Sequence, residues 1–168
     1  MQNKNGFTLI ELLVVIAIIG LLASIVMINL NNARAKGRDG RRNADIRTIR
    51  SALEMYYDDY GQYPASGGAS SPNSGWSNSN DSSWNTLATT LSSYIKLPVD
   101  PKNETGGWPG GGIYSYAYFS LGYGCSQQWY MLVYKLERGG ITSPGVTACD
   151  GTNFNYSGTI TMGMSGKQ

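Results

Sequence analysis

The sequence predicts an α+β protein: a long N-terminal α-helix, its hydrophobic half protruding and its amphipathic half packed on a small antiparallel β-sheet. Three observations carry this. Residues 7–19 are apolar except for Thr8 and Glu11, and the apolar run continues to residue 28. Residues 34–60 are charged and helix-friendly. Residues 61–168 are rich in Gly, Ser, Asn, Thr and Tyr with few charges, which suits a loop-rich, aromatic-bearing sheet better than a helical bundle. The chain has 168 residues, room for one ordinary domain and an accessory segment.

The apolar run would cover roughly 33 Å as a helix, against a hydrocarbon core about 30 Å thick. A transmembrane helix is the direct reading. A secretory signal peptide fits poorly: the run exceeds the usual h-region, no A-x-A site closes it, and the short segment before it holds only one basic residue, Lys4. Glu11 stands out, because a charge inside a membrane costs a few kcal/mol or more. It lies near the start of the run, at the membrane edge rather than its centre.

Helical patterning continues past Leu30. Ile46, Ile49, Leu53, Tyr56, Tyr57 and Tyr60 recur at spacings of three and four. Arg50 and Glu54 are four apart and form a candidate ion pair. Gly61 and Pro64 end the helix. Gly37 and Gly40 each cost about 1 kcal/mol relative to Ala in a helix and mark either a flexible joint or a locally loose helix. Residues 34–50 hold seven basic and two acidic residues. By the positive-inside rule this would keep the following domain in the cytoplasm. The cysteines and the sheet-like domain point outward instead, so charge alone leaves orientation open. The basic stretch reads as a solvated or subunit-facing surface rather than a lipid or nucleic-acid site, since no aromatic residue interleaves it.

The rest of the chain reads as a head domain. Residues 65–83 form a Gly/Ser/Asn loop. Trp84, Leu87, Leu91 and Tyr94 share one face of a short helix capped by Ser82 or Ser83. Residues 106–112 form a second glycine-rich loop. The segments 112–122 and 128–137 read as strands, and 158–164 as a third.

Chemistry is scarce. The chain has no histidine, no C-x-x-C pair, no nucleophile elbow and no complete P-loop, so an enzyme, a zinc site and a nucleotide cofactor are not expected. No cofactor is expected. Asp100, Asn103 and Glu104 offer oxygen ligands for Ca²⁺ but read as an ordinary turn. Cys125 and Cys149 suggest one disulfide in an oxidising compartment, against two buried free thiols; Gly124, Ala148 and Asp150 beside them look loop-like. Trp76 and Trp108, in loops, are the candidates for exposed contacts. Asn80, Asn103 and Asn155 match Asn-x-Ser/Thr.

The stretch "GFTLIELLVVIAIIGLLASI" resembles the N-terminus of type IV pilins and of type II secretion pseudopilins: a short polar leader ending in Gly6, then Phe7, Glu11 fifth after the glycine, and an unbroken apolar helix. "YYDDYGQYP" and "LPVDP" are similar to the same family, and the resemblance is close over residues 1 to about 64. It implies the pilin fold, with residues 1–6 a leader, 7–60 the N-terminal helix (7–30 spanning the membrane and forming the filament core, 31–60 amphipathic) and 61–168 the head. It implies cleavage between Gly6 and Phe7 by a prepilin peptidase, N-methylation of Phe7, and Glu11 as the assembly glutamate. It places Cys125 and Cys149 where many pilins keep a disulfide loop. Implied partners are other pilin subunits in a helical homopolymer, the peptidase, an inner-membrane assembly platform and the membrane before assembly. A surface, carbohydrate or DNA ligand would suit a minor pilin or adhesin; a pseudopilin would form a short periplasmic fibre. The implied location is the cytoplasmic membrane with the head outside, then a surface filament. The chain departs from the family in lacking a helix-breaking proline in the apolar run and a recognisable calcium loop.

Overall fold

The computed structural model describes residues 8–67, 75–107, 109–138, 145–154 and the backbone of 161–165. The chain divides into two compact units, Met1–Gly37 and Arg38–Gln168. Helix α1 (Leu9–Tyr60) supplies residues to both. Gly37 and Gly40 are both helical within it, and a Cβ at either would meet nothing within 4 Å. The first unit buries none of its apolar span: an 18-residue window is long and apolar enough to cross a membrane and is 0% buried.

In the second unit the buried stripe of α1 is Asp39, Arg42, Ile46, Ile49, Ala52 and Leu53. Ile46, Ile49 and Leu53 lie where the helical spacing puts them. Tyr56 and Tyr57 are only half-buried and Tyr60 is exposed, so the stripe is displaced toward the N-terminus and includes two charged residues. The helix stops at Gly61, whose φ of +68° only glycine adopts readily, with Gly61 N–H donating to Tyr57 O at 2.8 Å.

The sheet has the order β1-β2-β3-β6, all neighbours antiparallel: β1 (Ser77–Asn78), β2 (Tyr116–Phe119), β3 (Met131–Lys135) and β6 (Thr161–Ser165). The register pairs Tyr116 with Tyr134 and Tyr118 with Leu132 on one face, and Ala117 with Val133 and Phe119 with Met131 on the other. The period-2 alternation of strands makes these two faces distinct. The first packs against α1 and against α2 (Ser83–Thr90), burying Ile46, Ile49, Leu53, Trp84, Leu87 and Leu91 with the strand tyrosines.

The second face is covered as well. Strands β4 (Val146–Thr147) and β5 (Asn153–Phe154) form a separate two-stranded sheet. Val146, Ala148 and Phe154 there close over Ala117, Trp129, Met131 and Val133. The sequence reading provided a cover for only one face. Ser82 is the N-cap residue of α2 but makes no side-chain cap bond; the Asp81 carboxylate accepts Ser83 N–H at 2.8 Å instead. One further expectation is corrected. The Arg50–Glu54 ion pair is not formed, because Glu54 accepts the hydroxyls of Tyr63 (3.0 Å) and Tyr130 (3.4 Å) instead.

Candidate functional site

The first turn of α1 explains how a glutamate is accommodated in an apolar run. Thr8 immediately precedes the helix and Glu11 is three residues on. Thr8 N–H and Thr8 Oγ1 both donate to Glu11 Oε2, at 2.8 and 2.7 Å, and Glu11 N–H reaches Thr8 Oγ1 at 3.3 Å. This is a capping box: two backbone donors that the helix start leaves unpaired are satisfied reciprocally. The carboxylate also faces the positive end of the helix dipole. "T-L-I-E" carries the capping-box signature, which the sequence reading did not use. Gly6 and Phe7, the expected cleavage and methylation positions, lie outside the described residues.

Beyond Glu11 the helix presents apolar side chains all round. Large residues from Leu9 to Leu30 are 46–78% exposed. Among the described residues nothing covers a surface of this size, and burying it is worth roughly 25 cal/mol per Å².

Where α1 enters the second unit, a buried ionic cluster holds it. Arg42 is 0% exposed. Its guanidinium donates to Asp100 (Nε to Oδ2 2.7 Å, Nη2 to Oδ1 3.0 Å), to Asp39 (2.8 Å) and to Glu137 (2.9 Å). Arg38 forks onto Glu137 at 2.6 and 2.5 Å, and Lys102 reaches the same carboxylate at 3.2 Å. Asp39 further accepts the backbone N–H of Glu137 and Arg138, both at 2.9 Å, tying the chain after β3 to the helix. The Arg38 hydrogen bonds, with those from Arg42 and Lys102, pull Glu137 down to about 2 despite burial. Burial works against the Arg42 charge, but bonds to Asp100 and Glu137 outweigh it and raise its pKa. Asp100 is thus committed to Arg42, and no group of residues able to hold a metal occurs among those described.

The far face of the head carries aromatics. Trp76, half-buried, lies 5.0 Å from Phe119 between ring centroids, and Tyr123 meets Phe154 edge-on at 5.0 Å. Trp76 is therefore partly core rather than a free loop contact; Trp108 lies outside the described residues. Cys125 and Cys149 are disulfide-bonded with Cα atoms 6.0 Å apart, closing this layer. The Asn80 amide donates to Glu104 O and Gly107 O, and the Asn103 amide to Ser79 O, so both side chains serve structure. Asn155 lies outside the described residues.

Residues 1–27 match the family described as the Prokaryotic N-terminal methylation motif. Among curated proteins, the chain is 44% identical over 63 residues to the type II secretion system core protein G of Klebsiella michiganensis, covering 38% of this chain and 44% of the relative. It is 41% identical over 64 residues to the protein of the same name from Vibrio cholerae, covering 38% and 44%. It is 44% identical over 63 residues to the type IV wide pilus major component PilA4 of Thermus thermophilus, covering 38% and 48%. The chain spans less than half the length of these relatives. No solved structure matches it. By its first 27 residues the chain carries the prokaryotic N-terminal methylation motif, on a segment similar to those of type IV pilins and type II secretion pseudopilins.

Proposed function

We propose that this chain is a structural subunit of a type IV pilus-like filament, polymerised through its apolar helix. The observation that carries the reading is the uncovered apolar span beginning at a capped glutamate. Such a span is stable only in a membrane or among other apolar helices, and a filament subunit needs both in turn. A prepilin peptidase would cut after Gly6, leaving a methylated amine on Phe7, and an inner-membrane platform would move the subunit from the bilayer into the fibre. Glu11 keeps acceptor capacity beyond its bonds to Thr8, so the Phe7 amine of a neighbour can be neutralised there; a buried charge without a partner is far costlier than a paired one. Cys125–Cys149 locks the head in an oxidising compartment. The role is structural rather than catalytic. The pseudopilin of a secretion system is the second reading, favoured by the named similarity to core protein G.

The test is Glu11→Ala in the full chain, expressed with its assembly machinery. Membrane level and cleavage stay at wild type, and sheared filament yield falls. Unchanged yield refutes the reading. Fibre length by electron microscopy separates a surface pilus from a short periplasmic fibre.

A further inference from the structure

Nearly all the negative charge of this protein is used internally. Every acidic side chain except Asp58 has a hydrogen-bond or ion-pair partner among the described residues, from the Arg42 cluster to the tyrosine hydroxyls on Glu54 and Asp45. Asp59, next to it, has only the neutral hydroxyl of Tyr94 at 2.5 Å. The same helix carries the opposite imbalance two to three turns earlier. Arg47 is exposed, and neither it nor Arg50 has a carboxylate within ion-pair distance among the described residues. The two arginines line a shallow groove with Ser51 and Glu54; the Arg50 guanidinium meets the neutral Tyr130 hydroxyl, and its Nε is buried there without a partner. The carboxylate that shares the groove is already turned toward Tyr63 and Tyr130. One helix thus shows a cationic patch at 47 and 50 and an anionic patch at 58 and 59, neither matched by an opposite charge among the described residues.

Ten residues separate the patch centres, which is about 15 Å along the helix and about 80° around it. This spacing decides what the patches fit. In parallel copies related by a two-fold axis along the helices, equal heights face each other, so Arg47 would meet Arg47. An axial shift between copies brings the cationic patch of one against the anionic patch of the next, in a head-to-tail contact that does not close. We propose that these patches are the electrostatic part of a subunit–subunit contact: Arg47 and Arg50 of one copy receive Asp58 and Asp59 of an axially staggered, parallel copy. The proposal rests on the filament reading, which supplies the parallel orientation. The stagger it sets is about 15 Å, with long arginine side chains accepting several Å either way. Near zero offset like charges face each other and oppose the contact, so the patches bias register rather than supply cohesion.

Charge reversal tests this in the full chain with its assembly machinery. Arg47→Glu and Asp58→Arg are both at exposed positions, so the fold is not at risk; membrane level and the Cys125–Cys149 disulfide check it. Each single variant is expected to lower sheared filament yield by about tenfold, and the double variant to restore it to within about threefold of wild type. Singles at wild-type yield, or a double no better than the singles, overturn the pairing. The second result is also the one expected if Arg47 served an anionic lipid or a nucleic acid instead. Glu11→Ala run alongside separates the two levels: loss there with no effect of charge reversal leaves the filament and removes this contact, whereas no effect of Glu11→Ala removes the filament reading itself.

Discussion

Replacing Arg42 with methionine removes the cation at the centre of the buried cluster while keeping most of its volume. The magnitude follows from what each carboxylate keeps. Glu137 retains Arg38 at 2.5 Å and Lys102 at 3.2 Å. Asp39 retains two backbone N–H donors at 2.9 Å. Asp100 fares worst: its side chain is fully buried, and it keeps Lys102 N–H at 2.8 Å with a longer bond from Asn103 N–H at 3.4 Å. Breaking a buried pair costs about 3–5 kcal/mol because an uncompensated charge stays behind. With Glu137 still ion-paired and Asp39 still holding two backbone donors, the lower end applies, about 3 kcal/mol. For a unit of this size that lowers the melting temperature by about 10 °C. The assay is urea unfolding of the full chain in detergent, followed by tryptophan fluorescence, with the disulfide intact. Asp100→Leu should recover part of the loss in the Arg42→Met background, since the orphaned charge is then gone. A loss below about 1 kcal/mol, or purely additive single and double variants, would refute the claim that this cluster fixes α1 to the head.

Two further outcomes follow from the same geometry. Glu137 has its pKa lowered from 4.5 to about 2. The folded value lies below the unfolded one, so its contribution is complete above about pH 4.5 and is lost as pH falls toward 2; the ceiling is about 3 kcal/mol. Glu137→Gln should flatten the acid limb of a stability–pH profile in that window, and an unchanged limb would assign acid sensitivity elsewhere. Gly37→Ala with Gly40→Ala should strengthen α1 by up to about 1 kcal/mol per site, since both glycines are helical and a Cβ has open space. Amide exchange across residues 34–44 should slow. Faster exchange would contradict the helical assignment, and slower exchange with loss of filaments would show that assembly needs a joint there.

The sheet was legible to the extent that a side-chain period of two can be read. Tyr116 and Tyr118 alternate with Ala117 and Phe119, and β3 repeats the pattern opposite them. The layer formed by β4 and β5 was not legible, because strands of two residues carry no periodicity. Its function is nevertheless to complete the burial of Trp129, which a single helix-backed sheet would leave in solvent. Trp76 shows the same limit: a tryptophan in a glycine-rich loop reads as exposed until the strand it packs on is placed.

The N-terminal segment was determined by the sequence itself. Its helix, its apolar surface, its glutamate and even its capping box depend on neighbours three or four residues away, so local spacing specifies them. The Arg42 cluster was decided by tertiary structure alone. Its partners lie 58 and 95 residues along the chain, and a charged helix position gives no sign of being buried until those carboxylates arrive. The buried stripe therefore runs through Asp39 and Arg42, where hydropathy would place solvent. Local interactions fix what a segment becomes; long-range pairing of charge fixes which of its faces turns inward.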